Sequence, residues 1–170
     1  MRSPRQVRQV RQRRRREDYI GVYVIFNDIT ARDIQRWEMQ SSNFIFSKSI
    51  DTFCPFSPWI VTADEIPNPY NLALELRVNG EKRQISNSSH MSVTIPQLIA
   101  KFSPTGFSAG DILTTGTVSG VTAFSKDPQV WHLKPGDEIE AEIEKIGVLC
   151  NQVVSWKDAH GVDAPEFVGF

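Results

Sequence analysis

Residues 72 to 85 restrict the fold more than any other stretch. Leu72, Leu74, Leu76 and Val78 alternate with Ala73, Glu75 and Arg77, and Asn79-Gly80 follows at once. A period of two places one apolar row on one face of a pleated strand. Asn-Gly supplies the two positive φ angles of a tight hairpin turn, so Glu81 to Ile85 is expected to return antiparallel. A chain built this way needs a second layer over the apolar face.

The remaining punctuation is consistent with more strand than helix. Ile20 to Phe26 is an apolar run that reads as a buried strand, and Trp59 to Val61 and Ile112 to Thr115 read as short ones. Glu138 to Glu144 alternates charged with small or apolar residues. Lys145-Ile146-Gly147 turns it, and Val148 to Val154 returns beside it. Ala109-Gly110-Asp111 and the Leu133 to Asp137 segment are turns, and Asn68-Pro69 with Asn71 marks a loop. Two helices are predicted. One spans Ala31 to Gln40, with Ile34, Trp37 and Met39 inward; the other spans Ile95 to Phe102, with Pro96 in its first turn. Strands and helices do not alternate regularly. The expectation is therefore an α+β fold, a mixed β-roll or barrel-like core with two short helices.

Charge separates the beginning from the rest. Residues 1–16 hold eight Arg and no acid, leaving 11 Lys plus Arg against 20 Asp plus Glu, or −9, for the remainder. The basic stretch reads as a solvated, disordered arm, a nucleic-acid-binding arm, a mitochondrial presequence or a non-authentic start. No aromatic interleaves its arginines, which speaks against nucleic acid as a partner, and it has almost no apolar face, which speaks against a presequence. The expected division is residues 1–18 as this arm or start, 19–155 as a partial catalytic domain, and 156–170 as a loosely held tail. No apolar run approaches the ~20 residues a membrane-spanning helix needs. Cys54 and Cys150 have no metal-type spacing, so a reducing compartment is the default and Cys54, beside Pro55, is expected in the core. GxGxxG, P-loop and GxSxG patterns are absent from the sequence.

Chemistry-bearing residues gather in three stretches, beginning with Asn27-Asp28-Ile29-Thr30-Ala31-Arg32-Asp33-Ile34-Gln35 at the end of the first apolar run. Asp28 suits a hard cation such as Mg2+, and equally suits a helix cap. Arg32 and Gln35 share a helix face, where the guanidinium fork suits a carboxylate; a surface pairing with Asp33 or Glu38 is the plain alternative. Lys48 lies in Phe46-Ser47-Lys48-Ser49-Ile50, either as a cation for a developing enolate or as a surface lysine. Thr115-Gly116-Thr117 offers hydroxyls and close backbone approach to carboxylate or phosphate oxygens, or forms an ordinary tight turn. His90, His132 and His160 are scattered and read as structural or exposed.

NDITARDIQ, KSIDTFCPFSPWIVTADEIPNPYNL, LRVNGEKRQISNSS, PQLIAKFSP, AGDILTTGTVSGV and LKPGDEIEAEIEKIGVLCNQVV, taken together from Tyr19 to Val154, resemble the fumarylacetoacetate hydrolase superfamily, in its domain-containing, bacterial-type branch. The resemblance implies the fumarylacetoacetase C-terminal-like fold and a Mg2+- or Mn2+-dependent enzyme. Such enzymes cleave 2-oxo and β-diketo acids, by acylpyruvate hydrolysis or oxaloacetate-type decarboxylation, through an enolate. By the same resemblance Asp28 is a metal carboxylate with Lys48 and Thr52 nearby. Lys48, Arg32 and Gln35 are catalytic, and Arg32, Gln35 and Thr117 bind substrate. It further implies a homodimer in the cytoplasm, or in the mitochondrial matrix.

The sequence departs from that pattern. The family's Glu-x-Glu metal pair lies on a strand before the aspartate, and here the only acids before Asp28 are Glu17 and Asp18, which do not fit. The His-Glu pair of the family's lid has no counterpart. Ser47 and Val22 replace glycines, and Val118 replaces a proline. The expectation is an N-terminally truncated chain with impaired activity. The alternative is a non-catalytic relative that binds a 2-oxo acid or a homologous subunit.

Overall fold

A computed structural model describes residues 17–42, 45–57, 59–121 and 128–165. The basic stretch 1–16, Phe44 and residues 166–170 lie outside them. In chain order the elements are β1 (Val22–Tyr23), α1 (Arg32–Glu38), β2 (Val61–Thr62), β3 (Ala73–Val78), β4 (Glu81–Asn87), α2 (Ile95–Phe102), α3 (Pro128–Trp131), β5 (Glu138–Ile143), β6 (Gly147–Gln152) and α4 (Trp156–His160). Short 3₁₀ turns join several of them, among them Met39–Ser41 and Phe46–Lys48.

The expected hairpin forms. Val78 pairs with Glu81, and Asn79 (φ 52°) and Gly80 (φ 77°) make the left-handed pair that the turn requires. The ladder slips after Leu76: Leu76 faces Gln84 and Arg77 faces Lys82, so Arg83 is an extra, bulged residue on β4. β5 adds to the other side of β3, and β6 pairs with β5, giving an antiparallel sheet in the order β4-β3-β5-β6. Arg77 sits opposite Glu140 and bonds Glu75, Glu140 and Glu142, which offsets the acidic character of β5 and pushes its own pKa upward.

β1 and β2 form a separate two-stranded sheet, extended by a lone bridge between Phe26 and Phe56. Ile25, Ile66, Leu72, Ala141, Ile146 and Leu149 are buried in one cluster, with Tyr23, Val61, Leu76 and Ile143 against it. Segments from both sheets therefore share one core.

The mixed α and β architecture with antiparallel sheets and short helices is as expected, and among the described residues neither sheet closes. Several expectations need correction. Two further short helices appear, α3 and α4. The strand expected over Ile20 to Phe26 shrinks to Val22–Tyr23, with Ile25 its one buried residue and Phe26 held by a lone bridge. Ile112 to Thr115 is irregular, and Ile112 is exposed. α2 keeps its predicted bounds, with the Gln97 carboxamide oxygen accepting from the Thr94 N–H (2.8 Å) and Ile99 buried. No described helix is long and apolar enough to cross a membrane.

Candidate functional site

Two chain segments run side by side to build the site. The Asn27 N–H donates to Pro55 O (3.0 Å), Ile29 N–H to Phe53 O (3.2 Å) and Ala31 N–H to Ser47 O (3.0 Å). Their common root is buried: the Ile25 N–H donates to Ser57 Oγ (2.6 Å) and the Ser57 N–H to Ile25 O (2.8 Å). Residues 27 to 31 are thereby fixed against residues 47 to 55.

That lacing brings Asp28 and Lys48 together. The Lys48 ammonium donates to Asp28 Oδ2 and to Thr30 Oγ1 (3.0 Å). Both partners of the ion pair remain about one third exposed, 30% for Lys48 and 38% for Asp28. On the first turn of α1, Arg32 Nη1 donates to Gln35 Oε1 (2.6 Å), so the two expected carboxylate binders are oriented as a pair. The surface pairing of Arg32 with Asp33 or Glu38 does not form among the described contacts.

Thr52 lies in the same motif with φ 67°, a left-handed conformation that costs a β-branched residue about 1–2 kcal/mol. Its neighbours hold it there, with the Phe53 N–H on Ile50 O (3.0 Å) and on the other side Ile29 bound to Phe53. Cys54 is exposed, contrary to expectation, and its thiol lies 3.4 Å from Lys48 O. Thr117 stands on a different loop, exposed, and makes no hydrogen bond to Asp28, Arg32, Gln35 or Lys48 among the described contacts. That loop is fastened to β4. Gln84 Nε2 donates to Val118 O (3.1 Å), and Gly120 (φ +98°) lies so close that an added Cβ would sit 2.5 Å from Arg83 O.

Sequence reasoning missed Glu38. Its side chain is only 4% exposed, and its carboxylate accepts three backbone N–H groups, from Ile45 (2.9 Å) and Phe46 (2.5 Å) on Oε1 and from Ser47 (3.0 Å) on Oε2. Burial raises the pKa of this carboxyl, but Ser47 and the N–H groups of Phe46 and Ile45 outweigh it and hold the value at about 2. The signal was present in the helical spacing. Glu38 is four residues after buried Ile34 and shares its face, whereas Met39, expected inward, is 57% exposed. Thr30, the second oxygen on Lys48, carried no site role in the sequence reading.

The donor set falls short of what the expected divalent cation requires. Mg2+ takes oxygen ligands in a near-ideal octahedron. Among the described residues Asp28 is the one carboxylate paired with Lys48, which occupies one of its oxygens. Among the described residues no three His, Cys, Asp or Glu are placed to hold a metal ion. These residues alone do not fit Mg2+ or Mn2+.

The C-terminal-domain profile of fumarylacetoacetate hydrolase matches residues 3–154. A mitochondrial oxaloacetate tautomerase, Fahd2a of Rattus norvegicus, is 43% identical over 138 residues, covering 80% of this chain and 42% of the relative. The oxaloacetate tautomerase YisK of Bacillus subtilis is 44% identical over 137 residues, covering 80% of this chain and 44% of that protein. The fumarylacetoacetate hydrolase of Exiguobacterium antarcticum superposes with a TM-score of 0.72 at 41% identity, covering 79% of this chain and 47% of that one. The chain thus spans less than half the length of these curated relatives. With the aspartate, arginine, glutamine and lysine motifs folded onto one another and the profile matched over most of the sequence, the chain belongs to the fumarylacetoacetate hydrolase family.

Proposed function

We propose that this chain carries the lysine-bearing part of an enzyme that turns 2-oxo acids into their enolates. The first reading is keto–enol tautomerisation of a 2-oxo diacid of the oxaloacetate type, which the names of the two relatives favour. C–C cleavage of 2-oxo and β-diketo acids, as acylpyruvate hydrolysis or oxaloacetate-type decarboxylation, extends the same enolate chemistry. The observation that carries the proposal is the Lys48 ammonium, held by Asp28 and Thr30 beside the helix that presents Arg32 and Gln35.

In tautomerisation a proton leaves C3, the C3–H electron pair forms the C2=C3 bond, and the carbonyl pair moves to oxygen, which takes up a proton. Charge develops on that oxygen, and a fixed cation stabilises it most where water is scarce. Lys48 supplies that charge. Arg32, oriented by Gln35, binds a substrate carboxylate through its fork, and Thr117 donates its hydroxyl to a carboxylate oxygen. Asp28 sets the direction of the lysine and, among the described residues, is the carboxylate that would face the Mg2+ or Mn2+ of the family. Because the described donor set does not complete that ion's shell, no step is assigned to it. The Asp28–Lys48 pairing favours a second reading, a non-catalytic relative that binds a 2-oxo acid or a homologous subunit.

The test follows the ultraviolet absorbance of enol-oxaloacetate with the full chain, with and without added Mg2+ or Mn2+, beside Lys48→Met and Arg32→Ala. Acceleration lost in Lys48→Met is the expected result. Equal rates for the unaltered chain and Lys48→Met overturn the proposal, and saturable oxaloacetate binding without turnover establishes the second reading. Sedimentation of the same samples tests the homodimer.

A further inference from the structure

We infer that Glu38 is a positioning residue for Lys48: its buried carboxylate holds the turn that delivers the lysine to the site. The inference rests on the proposed function for its kinetic consequence, but not for its geometric one.

Apolar packing does little to shape the turn Phe46–Lys48, whose own bonds are local, Lys48 N–H to Ile45 O (3.3 Å) and Ser49 N–H to Phe46 O (3.1 Å). Ile45 is 69% exposed and Phe46 51%, so apolar burial of those side chains does not fix their backbone. Three successive N–H groups instead converge on one carboxylate, with Oε1 taking Ile45 and Phe46 and Oε2 taking Ser47. Hydrogen bonds to an ionised acceptor are about twice as strong as neutral ones, and a buried carboxylate without them would be costly. The residue after the third donor is Lys48.

Ser47 shows how the clamp works. It is fully buried, its N–H donates to Glu38 at the end of α1, and its carbonyl accepts from Ala31 just before α1 begins. One peptide segment is thus tied to both ends of the same helix. Arg32 and Gln35 ride on the first turn of that helix. The distance between the carboxylate-binding pair and the lysine is therefore set by α1 and Glu38, not by the flexible lysine stem. A lysine side chain with four rotatable carbons needs such a fixed base if its ammonium is to meet a developing oxyanion.

Glu38→Gln tests this, because it keeps the size and places an NH2 group against at least one of the three N–H donors. Reductive methylation read by peptide mass spectrometry reports on Lys48 independently of turnover, with exposed Lys82 and Lys157 as internal references. The expected result is a several-fold faster modification of Lys48, unchanged rates at Lys82 and Lys157, and a kcat lower by about 10- to 100-fold with KM little altered. Ile34→Val, which trims the buried face of α1 without touching the carboxylate, should lower the melting temperature and leave the Lys48 rate alone. A folded Glu38→Gln protein whose Lys48 rate and kcat match the unaltered chain overturns the inference. If Glu38→Gln does not fold, hydrogen exchange and methylation of the unaltered chain decide. Slow amides at Ile45, Phe46 and Ser47 with a slow Lys48 support the clamp, and free exchange at all three overturns it. If the unaltered chain has no turnover, the proposed function fails while the Lys48 rates still decide the inference.

Discussion

Gly120 gives the sharpest test of how the Thr117 loop is held. Because Arg83 is the bulged residue of β4, its carbonyl is offered to the loop, and Gly120 settles directly on it. In Gly120→Ala the new Cβ would lie 2.5 Å from Arg83 O and 3.2 Å from Gln84 Cγ. The oxygen belongs to the backbone, so no rotamer change relieves the contact, and the loop must lift. A positive φ in a residue with a Cβ costs about 1–2 kcal/mol. Losing the Gln84–Val118 hydrogen bond adds about 1 kcal/mol. The expected loss is about 2–3 kcal/mol, a ceiling, since the loop opens locally if its docking is worth less. Gly116→Ala is the control: its φ is also positive, +92°, but nothing lies within 4 Å of the added Cβ, so only the backbone share of about 1–2 kcal/mol applies. Urea unfolding gives both values, and hydrogen exchange at residues 116 to 121 shows whether the loop has lifted. Equal stability for the two variants, with the loop amides of Gly120→Ala unchanged, would refute the docking.

Two further outcomes follow from the site. Thr52→Gly removes left-handed strain of about 1–2 kcal/mol and adds about 0.5–1 kcal/mol of chain entropy, a net gain of up to about 1.5 kcal/mol, so the melting temperature should rise by up to about 3–6 °C; a fall in a thermal scan would show that Thr52 is not strained. Acid should destabilise the fold through Glu38. Its carboxyl sits at about 2 in the folded chain against 4.5 ordinarily, so the unfolded chain binds the proton first as pH falls. The contribution is whole above about 4.5 and disappears as pH drops toward 2, with Asp64, Glu75 and Asp137, also lowered, acting in the same direction. Denaturant midpoints across that range should fall less steeply in Glu38→Gln than in the unaltered chain.

The features legible in the sequence were those with local causes. Asn79-Gly80 dictates its turn from two residues, and Ile95 to Phe102 carries its own start signal in Thr94 and Gln97, so both appear where expected. The pairing of Arg32 with Gln35 follows from helical spacing. What was not legible depends on remote partners. Ile112 to Thr115 has a strand's composition but finds no neighbour to pair with among the described residues, and composition alone does not make a ladder. Glu38 read only as a surface partner for Arg32, because its actual partners are backbone N–H groups seven to nine residues on, in a turn with no sequence signature of its own. Cys54 looked apolar from its neighbours, yet the turn through Thr52 carries it to the surface.

The Asp28–Lys48 ion pair is better understood as a result of the local architecture than as its cause. A pair one third exposed to water contributes about 0–1 kcal/mol, too little to fix two chain segments against each other. The fixing is done on either side of it. Upstream, Ile25 is anchored in the shared core at 2% exposure and is bonded to Ser57 through both its N–H and its carbonyl. Downstream, Ser47 is bonded to Ala31 and to Glu38. Between those two anchors Asp28 is three residues from Ile25 and Lys48 is one residue from Ser47, so their side chains meet because the backbone leaves them facing. Stability and reactivity are thus assigned to different groups. Ile25, Ser57, Ser47 and Glu38 hold the frame, while Asp28 and Lys48 stay partly exposed and weakly committed to each other. In the reaction proposed above, a substrate carboxylate or developing oxyanion would meet an ion pair that costs only about 0–1 kcal/mol to open.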